Sequence, residues 1–207
     1  MSLNASTSGL AALRRFARPA PITNEKCELC SAAIAAEHGH LVERANGRVL
    51  CVCEPCAILF GNQVAQKYCR VPRTIARLAG FAMDDAQWNN LGIPIGLAFL
   101  FHSSVEGGIV AVYPCPVGPM RSQPSAEAWA DVVACNPSLA TLEHDTEALL
   151  IHRIHPARAY FRAPLDECYK LVGLVRSRWR GVSGGTEVWE TIADYFQALH
   201  RRASTDA

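Results

Sequence analysis

Two Cys-x-x-Cys pairs, Cys27/Cys30 and Cys53/Cys56, constrain this chain more than any other feature. Each pair is a tight turn that aims two thiolates at one point. Four thiolates around a tetrahedral ion make Zn–S4 or a rubredoxin-type Fe–S4. The cluster also holds Cys51, so that "CVCEPC" carries three cysteines in six residues. The chain has nine cysteines, an odd number that fits a disulfide framework poorly. The remaining four, Cys69, Cys115, Cys135 and Cys168, stand alone in apolar surroundings and read as core residues.

The segment between the pairs, "HLVERANGRVLCV", alternates and centres on Asn46-Gly47, a strong hairpin signal. A two-residue turn there sets Ala45 opposite Arg48, His40 opposite Cys53 and Val42 opposite Cys51. Residues two apart on a strand share a face, so Cys51, Cys53, His40 and Val42 are expected on one side of the hairpin. Cys53 and Cys56 are the expected ligands because they complete the second pair. Cys51 and His40 are possible substitutes or outer partners of a thiolate, and His38 is a candidate of the same kind. Rubredoxin-type knuckles carry glycine after the second cysteine; Ser31 and Ala57 stand here instead. Pro55 suits a helix's first turn, which places the second pair at a helix start, where the dipole favours thiolate. Knuckle, hairpin and Cys-x-x-Cys at a helix start make a treble-clef or zinc-ribbon-like module, with structural zinc as the expected ion and iron as the alternative.

The rest of the 207 residues read as α+β. Residues 1–22 are expected to be a flexible segment with a short helix over Leu10–Arg18, 23–70 the four-cysteine metal-binding module, 71–84 a linker with helical pieces, and 85–203 an α+β domain. After Cys56, "AILFGNQVAQKYC" suggests a helix with Ile58, Leu59, Val64 and Tyr68 on its apolar face. Asp84 and Gln87 have capping-box spacing. "GLAFLFHS" and "GGIVAVYP" read as a buried antiparallel hairpin. Helices are expected from Ser125 as cap to Pro137, after the strand in "AYFRAP", and from Thr186 as cap to Arg202. One antiparallel sheet covered by helices is the simplest architecture.

Charge and motifs narrow the function classes. The net charge is +1, with a basic residue 1–80 segment and an acidic 81–160 segment, which argues against a nucleic-acid partner. The longest apolar run, Ile93–Phe101, is far short of the ~20 residues of a membrane-spanning helix. Arg14-Arg15 is followed by no apolar run, so export is not expected and the chain reads as cytoplasmic. No G-x-S-x-G, P-loop or G-x-G-x-x-G occurs, and no carboxylate pair forms an obvious dyad. His152 and His155, with His144 upstream, could suggest a second metal site, but residues three apart on a strand point to opposite faces, which argues against it. Gly184-Gly185 reads as a helix entry and "RSRWR" as a solvated helix end.

"CELC…EHGHLVERANGRVLCVCEPCAILF", "IPIGLAFLF" and "WRGVSGGTEVW" together resemble an uncharacterised family of bacterial proteins encoded beside high-affinity, actinobacterial-type [NiFe]-hydrogenase genes. The resemblance runs from about Arg14 to Leu199. It implies a context of hydrogenase maturation, assembly or protection, with a hydrogenase subunit or maturation factor as partner. The expectation is a non-enzymatic accessory protein. By analogy with small rubredoxin-like accessory proteins, the alternative is an Fe–S4 electron-transfer or redox-protection protein.

Overall fold

A computed structural model describes residues 25–61, 67–115, 118–181 and 184–206. The expected helix over Leu10–Arg18 lies outside these residues, as does Val64.

The cysteine-rich part forms a three-stranded sheet of β1 (Gly39–Glu43), β2 (Arg48–Val52) and β3 (Tyr68–Arg70) in the order β2-β1-β3, with helix α1 (Glu54–Gly61) between β2 and β3. Leu41, Leu50 and Val52 line one face and bury themselves against Cys27, Ile34, Cys56 and Ala57. The expected register of the β1–β2 hairpin is corrected by two residues: Glu43 pairs with Arg48, Val42 with Val49, and His40 with Cys51. The loop is Arg44–Gly47, four residues rather than two. Only Gly47 takes positive φ (+69°). Asn46 spends its side chain on the turn instead, accepting from the Arg48 amide at 2.9 Å and donating to Glu43 at 2.8 Å. A slip of two preserves the side-chain alternation, so His40, Val42 and Cys51 still share a face.

The expected helix after Cys56 is shorter than its apolar pattern suggested. α1 is described over Glu54–Gly61, Ile58 and Leu59 are exposed, and Tyr68 and Cys69 lie in β3.

The second sheet has seven strands: β4 (Ala76–Leu78), β5 (Leu97–Ser103), β6 (Gly108–Cys115), β7 (Gly118–Ser122), β8 (Glu147–His152), β9 (Ala159–Pro164) and β10 (Ser204–Asp206). Their order is β10-β4-β9-β8-β5-β6-β7, antiparallel except for the β10–β4 pair at one edge. Among the described residues this is the one helix-covered sheet expected after the cysteine-rich module, which keeps its own small sheet. Residues 71–84 are not helical pieces but supply β4, an inner strand of the large sheet.

Helices cover both faces of this sheet. α2 (Asp85–Asn90), α3 (Ala126–Cys135) and a 3-10 turn (Pro137–Thr141) join Leu100, Ala111, Leu149 and Ile151 on one side. α4 (Leu165–Arg178) and α5 (Thr186–Arg202) pack against Phe99, Val110, Leu150 and Phe161 on the other. Covering both faces explains why five consecutive residues of β5, Leu97–Phe101, are buried without alternation. The architecture is α+β, with the four-cysteine module ahead of an antiparallel sheet packed with helices.

Local capping follows side-chain chemistry. Asp84 and Gln87 form the full capping box of α2, and Ser125 caps α3. α5 departs from expectation: Gly185 occupies the N-cap and Thr186 is already helical. Along α5, Val188, Ile192, Tyr195, Phe196 and Leu199 make the buried stripe. Among the described residues, no helix is long and apolar enough to cross a membrane.

Candidate metal centre

Cys27 and Cys30 sit in a tight loop closed by the Ser31 amide donating to Cys27 O at 2.8 Å and the Cys27 amide donating to Ala32 O at 2.8 Å. Ser31 adopts φ +63°, so the left-handed turn expected of glycine forms with serine in its place. Cys53 directly precedes α1, and the Ala57 amide donates to Cys53 O at 2.9 Å, which starts the helix. Cys56 thereby turns inward on the first turn. Glu28 fastens the two halves: its amide donates to Cys51 O and its carboxylate accepts from the Cys51 amide, both at 2.9 Å.

Ligand atoms of Cys27, Cys30, Cys53 and Cys56 all lie within 4.8 Å of one another. The Cys30 and Cys53 sulfurs are 3.6 Å apart. A tetrahedron with metal–sulfur bonds of about 2.3 Å has edges of about 3.8 Å, so the spacing suits a tetrathiolate site. Cys27 and Cys56 are buried, Cys53 is half-buried and Cys30 is exposed.

The electrostatics suit a cation. Burial pushes the Cys27 thiol up, but the amides of Cys53, Cys30 and Leu29 outweigh it and bring it down to about 6. Burial, followed by the neighbouring sulfurs of Cys53, Cys30 and Cys27, pushes Cys56 well up. Four crowded sulfurs do not all ionise together without a counter-charge; a divalent ion supplies it.

Cys51 and His40 are not members of this group. They lie on the outer face of the hairpin with His38, and the three offer ligand atoms within 4.8 Å of one another. His40 Nδ1 is 2.6 Å from Asp166 Oδ2, at the first turn of α4. The shared face of His40 and Cys51 was legible from strand alternation; the arrival of Asp166 had no sequence signal.

Other singled-out residues have structural surroundings. His144 stacks on His102 at 4.3 Å, and His152 stacks on Phe196 at 4.1 Å, so these histidines do not converge. Cys69 and Cys168 are buried, Cys115 is half-buried, and Cys135 is exposed rather than in the core.

A family model covers residues 26–203 of this chain. The chain belongs to the family of unknown function DUF5947. No curated protein and no solved structure matches it. The DUF5947 match takes in both Cys-x-x-Cys pairs, the His38/His40/Cys51 face and every strand of the helix-covered sheet except β10.

Proposed function

We propose that this protein is a non-enzymatic, cytoplasmic accessory factor for [NiFe]-hydrogenase maturation or assembly. In this reading Cys27, Cys30, Cys53 and Cys56 hold a structural zinc ion, and the α+β domain binds a hydrogenase subunit or maturation factor. The observation that carries the non-enzymatic part is the closed donor set. Four protein thiolates fill a tetrahedral ion's coordination and leave no position for a substrate, the pattern of structural zinc. The helix that opens between Cys53 and Cys56 favours the treble-clef type over paired rubredoxin knuckles. The hydrogenase context rests on the sequence resemblance. The exposed apolar residues Ile58, Leu59 and Phe60 on α1 and Trp189 on α5 are compatible with a protein-binding role.

A second reading has its own support: an Fe–S4 electron-transfer or redox-protection protein. The backbone of Cys53, Cys30 and Leu29 lowers the Cys27 thiol, and Cys30 is exposed to solvent. Amide–sulfur bonds and exposure are the means by which proteins tune such centres.

Metal analysis and the visible spectrum of protein from the native host separate the two. One zinc per tetrathiolate and no colour supports the first; a red, reversibly reducible centre replaces it with the second. Co-purification under hydrogenase-expressing conditions tests the partner. Recovery of a hydrogenase subunit or maturation factor is expected, and recovery of neither counts against the assignment.

A further inference from the structure

The outer face of the β1–β2 hairpin carries a second constellation, separate from the tetrathiolate group. His38 directly precedes β1, His40 lies on it and Cys51 on its pairing partner β2, with ligand atoms within 4.8 Å of each other. The His38 and His40 ring centroids are 4.7 Å apart.

His38 Nδ1 lies 2.8 Å from Ala35 O. A carbonyl only accepts, so Nδ1 carries the proton and the neutral ring's lone pair is at Nε2. That Nε2 atom is buried and has no hydrogen-bond partner among the described protein groups, in a side chain only 10 % exposed. A buried unpaired acceptor is costly and rare. A histidine whose one nitrogen is bound to a carbonyl while the other is unpaired is in the state of a metal ligand with its outer partner in place.

His40 faces a carboxylate instead. Its Nδ1 is buried and 2.6 Å from Asp166 Oδ2, without the alignment of a hydrogen bond. Asp166 is held in turn by the Glu167 amide, which donates to its other oxygen at 2.8 Å. Two further carboxylates stand close: Glu28 accepts from the Cys51 amide at 2.9 Å, and Glu25 is 3.9 Å from His38 Nδ1. Two imidazoles and a thiol ringed by carboxylates form a strong field for a cation.

We infer that His38, His40 and Cys51 form a second metal site, with Asp166 as outer partner or fourth ligand, for a late first-row divalent cation. Two nitrogens and one sulfur select this borderline-soft class over Mg2+ or Ca2+, which take oxygen. Unlike the tetrathiolate group, this site has three ligands from the hairpin and reaches its fourth partner only on α4. Metal here links the small module to the helix-covered sheet. The inference does not depend on the proposed hydrogenase role.

Anaerobic titration of the full chain with Co2+ alone tests it. Wild type should bind two equivalents, one with the charge-transfer spectrum of four thiolates and one with a mixed nitrogen–sulfur spectrum. His38→Ala and Cys51→Ser should each bind one equivalent with the tetrathiolate spectrum intact. Asp166→Asn should keep both but weaken the second by about 10- to 100-fold. Saturation of wild type at one equivalent overturns the site, as does an undiminished second equivalent in both His38→Ala and Cys51→Ser. Because these variants could fail to fold, nitrogen-15 resonances of the wild-type rings with Zn2+ give an independent reading. Shifts at His38 and His40 during the second equivalent support the site; unchanged histidines refute it.

Discussion

The sulfurs of Cys30 and Cys53 lie 3.6 Å apart although 23 residues separate them. The hairpin closes this gap, and a metal ion held by the four sulfurs would join the two ends of the module. Cys53→Ser and Cys56→Ser should each lose the tetrathiolate metal, because three sulfurs leave the tetrahedron open. Cys51→Ser should keep it. Zinc content and proteolytic sensitivity of the module measure both effects; metal loss in Cys51→Ser with retention in Cys53→Ser reverses the assignment. Chelation of wild type should release the same metal and loosen the module.

Ser31 occupies a left-handed conformation at φ +63°, where a Cβ is strained. Ser31→Gly should stabilise the metal-loaded protein by about 1 kcal/mol. The midpoint of urea unfolding at constant slope reads this out. An equal gain from Ser31→Ala would point away from the backbone as its source.

A Cβ on Gly96 would lie 2.6 Å from the carbonyl oxygen of Arg153 and 2.8 Å from its carbon, both backbone atoms. Neither yields cheaply, since Gly96 O itself accepts from the Arg153 amide beside β5 and β8. Gly96→Ala should cost about 1–3 kcal/mol. Gly80→Ala, where a Cβ meets nothing within 4 Å, is the control and should change stability by less than ~0.5 kcal/mol.

Glu147 is buried, and both its oxygens bind Arg162, with Nε at 2.9 Å to Oε1. Glu147 Oε2 also accepts from the Glu143 amide, and Arg162 donates to Thr141 O at 2.8 Å, so the pair ties β8 and β9 to the 3-10 turn. Glu147→Ala leaves a guanidinium facing its former partner and should cost about 3 kcal/mol. The double variant Glu147→Leu/Arg162→Met should lose less than Glu147→Ala. Strict additivity in a double-mutant cycle would show that the pair is not coupled.

His152 stacks face to face on Phe196, with ring planes 8° apart. Burial, then the His200 ring, brings its pKa down from 6.5 to about 4. Between these values the unfolded chain holds a proton that the folded one does not, so stability rises with pH. The contribution is complete above about pH 6.5 and lost as pH falls towards about 4, amounting to roughly 1–2 kcal/mol after solvent screening. His102 and His200, both lowered chiefly by burial, act with the same sign. The stability difference between pH 7 and pH 5 should shrink in His152→Gln relative to wild type. Because both proteins carry the same four-cysteine site, the comparison cancels any acid-driven change there; equal pH slopes would remove His152 as a cause.

Local spacing alone determined the tetrathiolate set, the capping box at Asp84 and Gln87, the Ser125 cap, and the buried β5–β6 hairpin. The caps and each Cys-x-x-Cys turn depend on contacts within a few residues, and the hairpins on a period that matches a strand. The tertiary structure decided what depends on distant partners. It set the hairpin loop at four residues, because Asn46 bonds the turn through its side chain rather than entering the left-handed region. It placed β4 inside the large sheet, because β9 and β10 supply strand edges that residues 71–84 cannot announce. It also gathered His38, His40 and Cys51 beneath Asp166, because alternation fixes which face a strand residue takes but not which helix arrives to cover it.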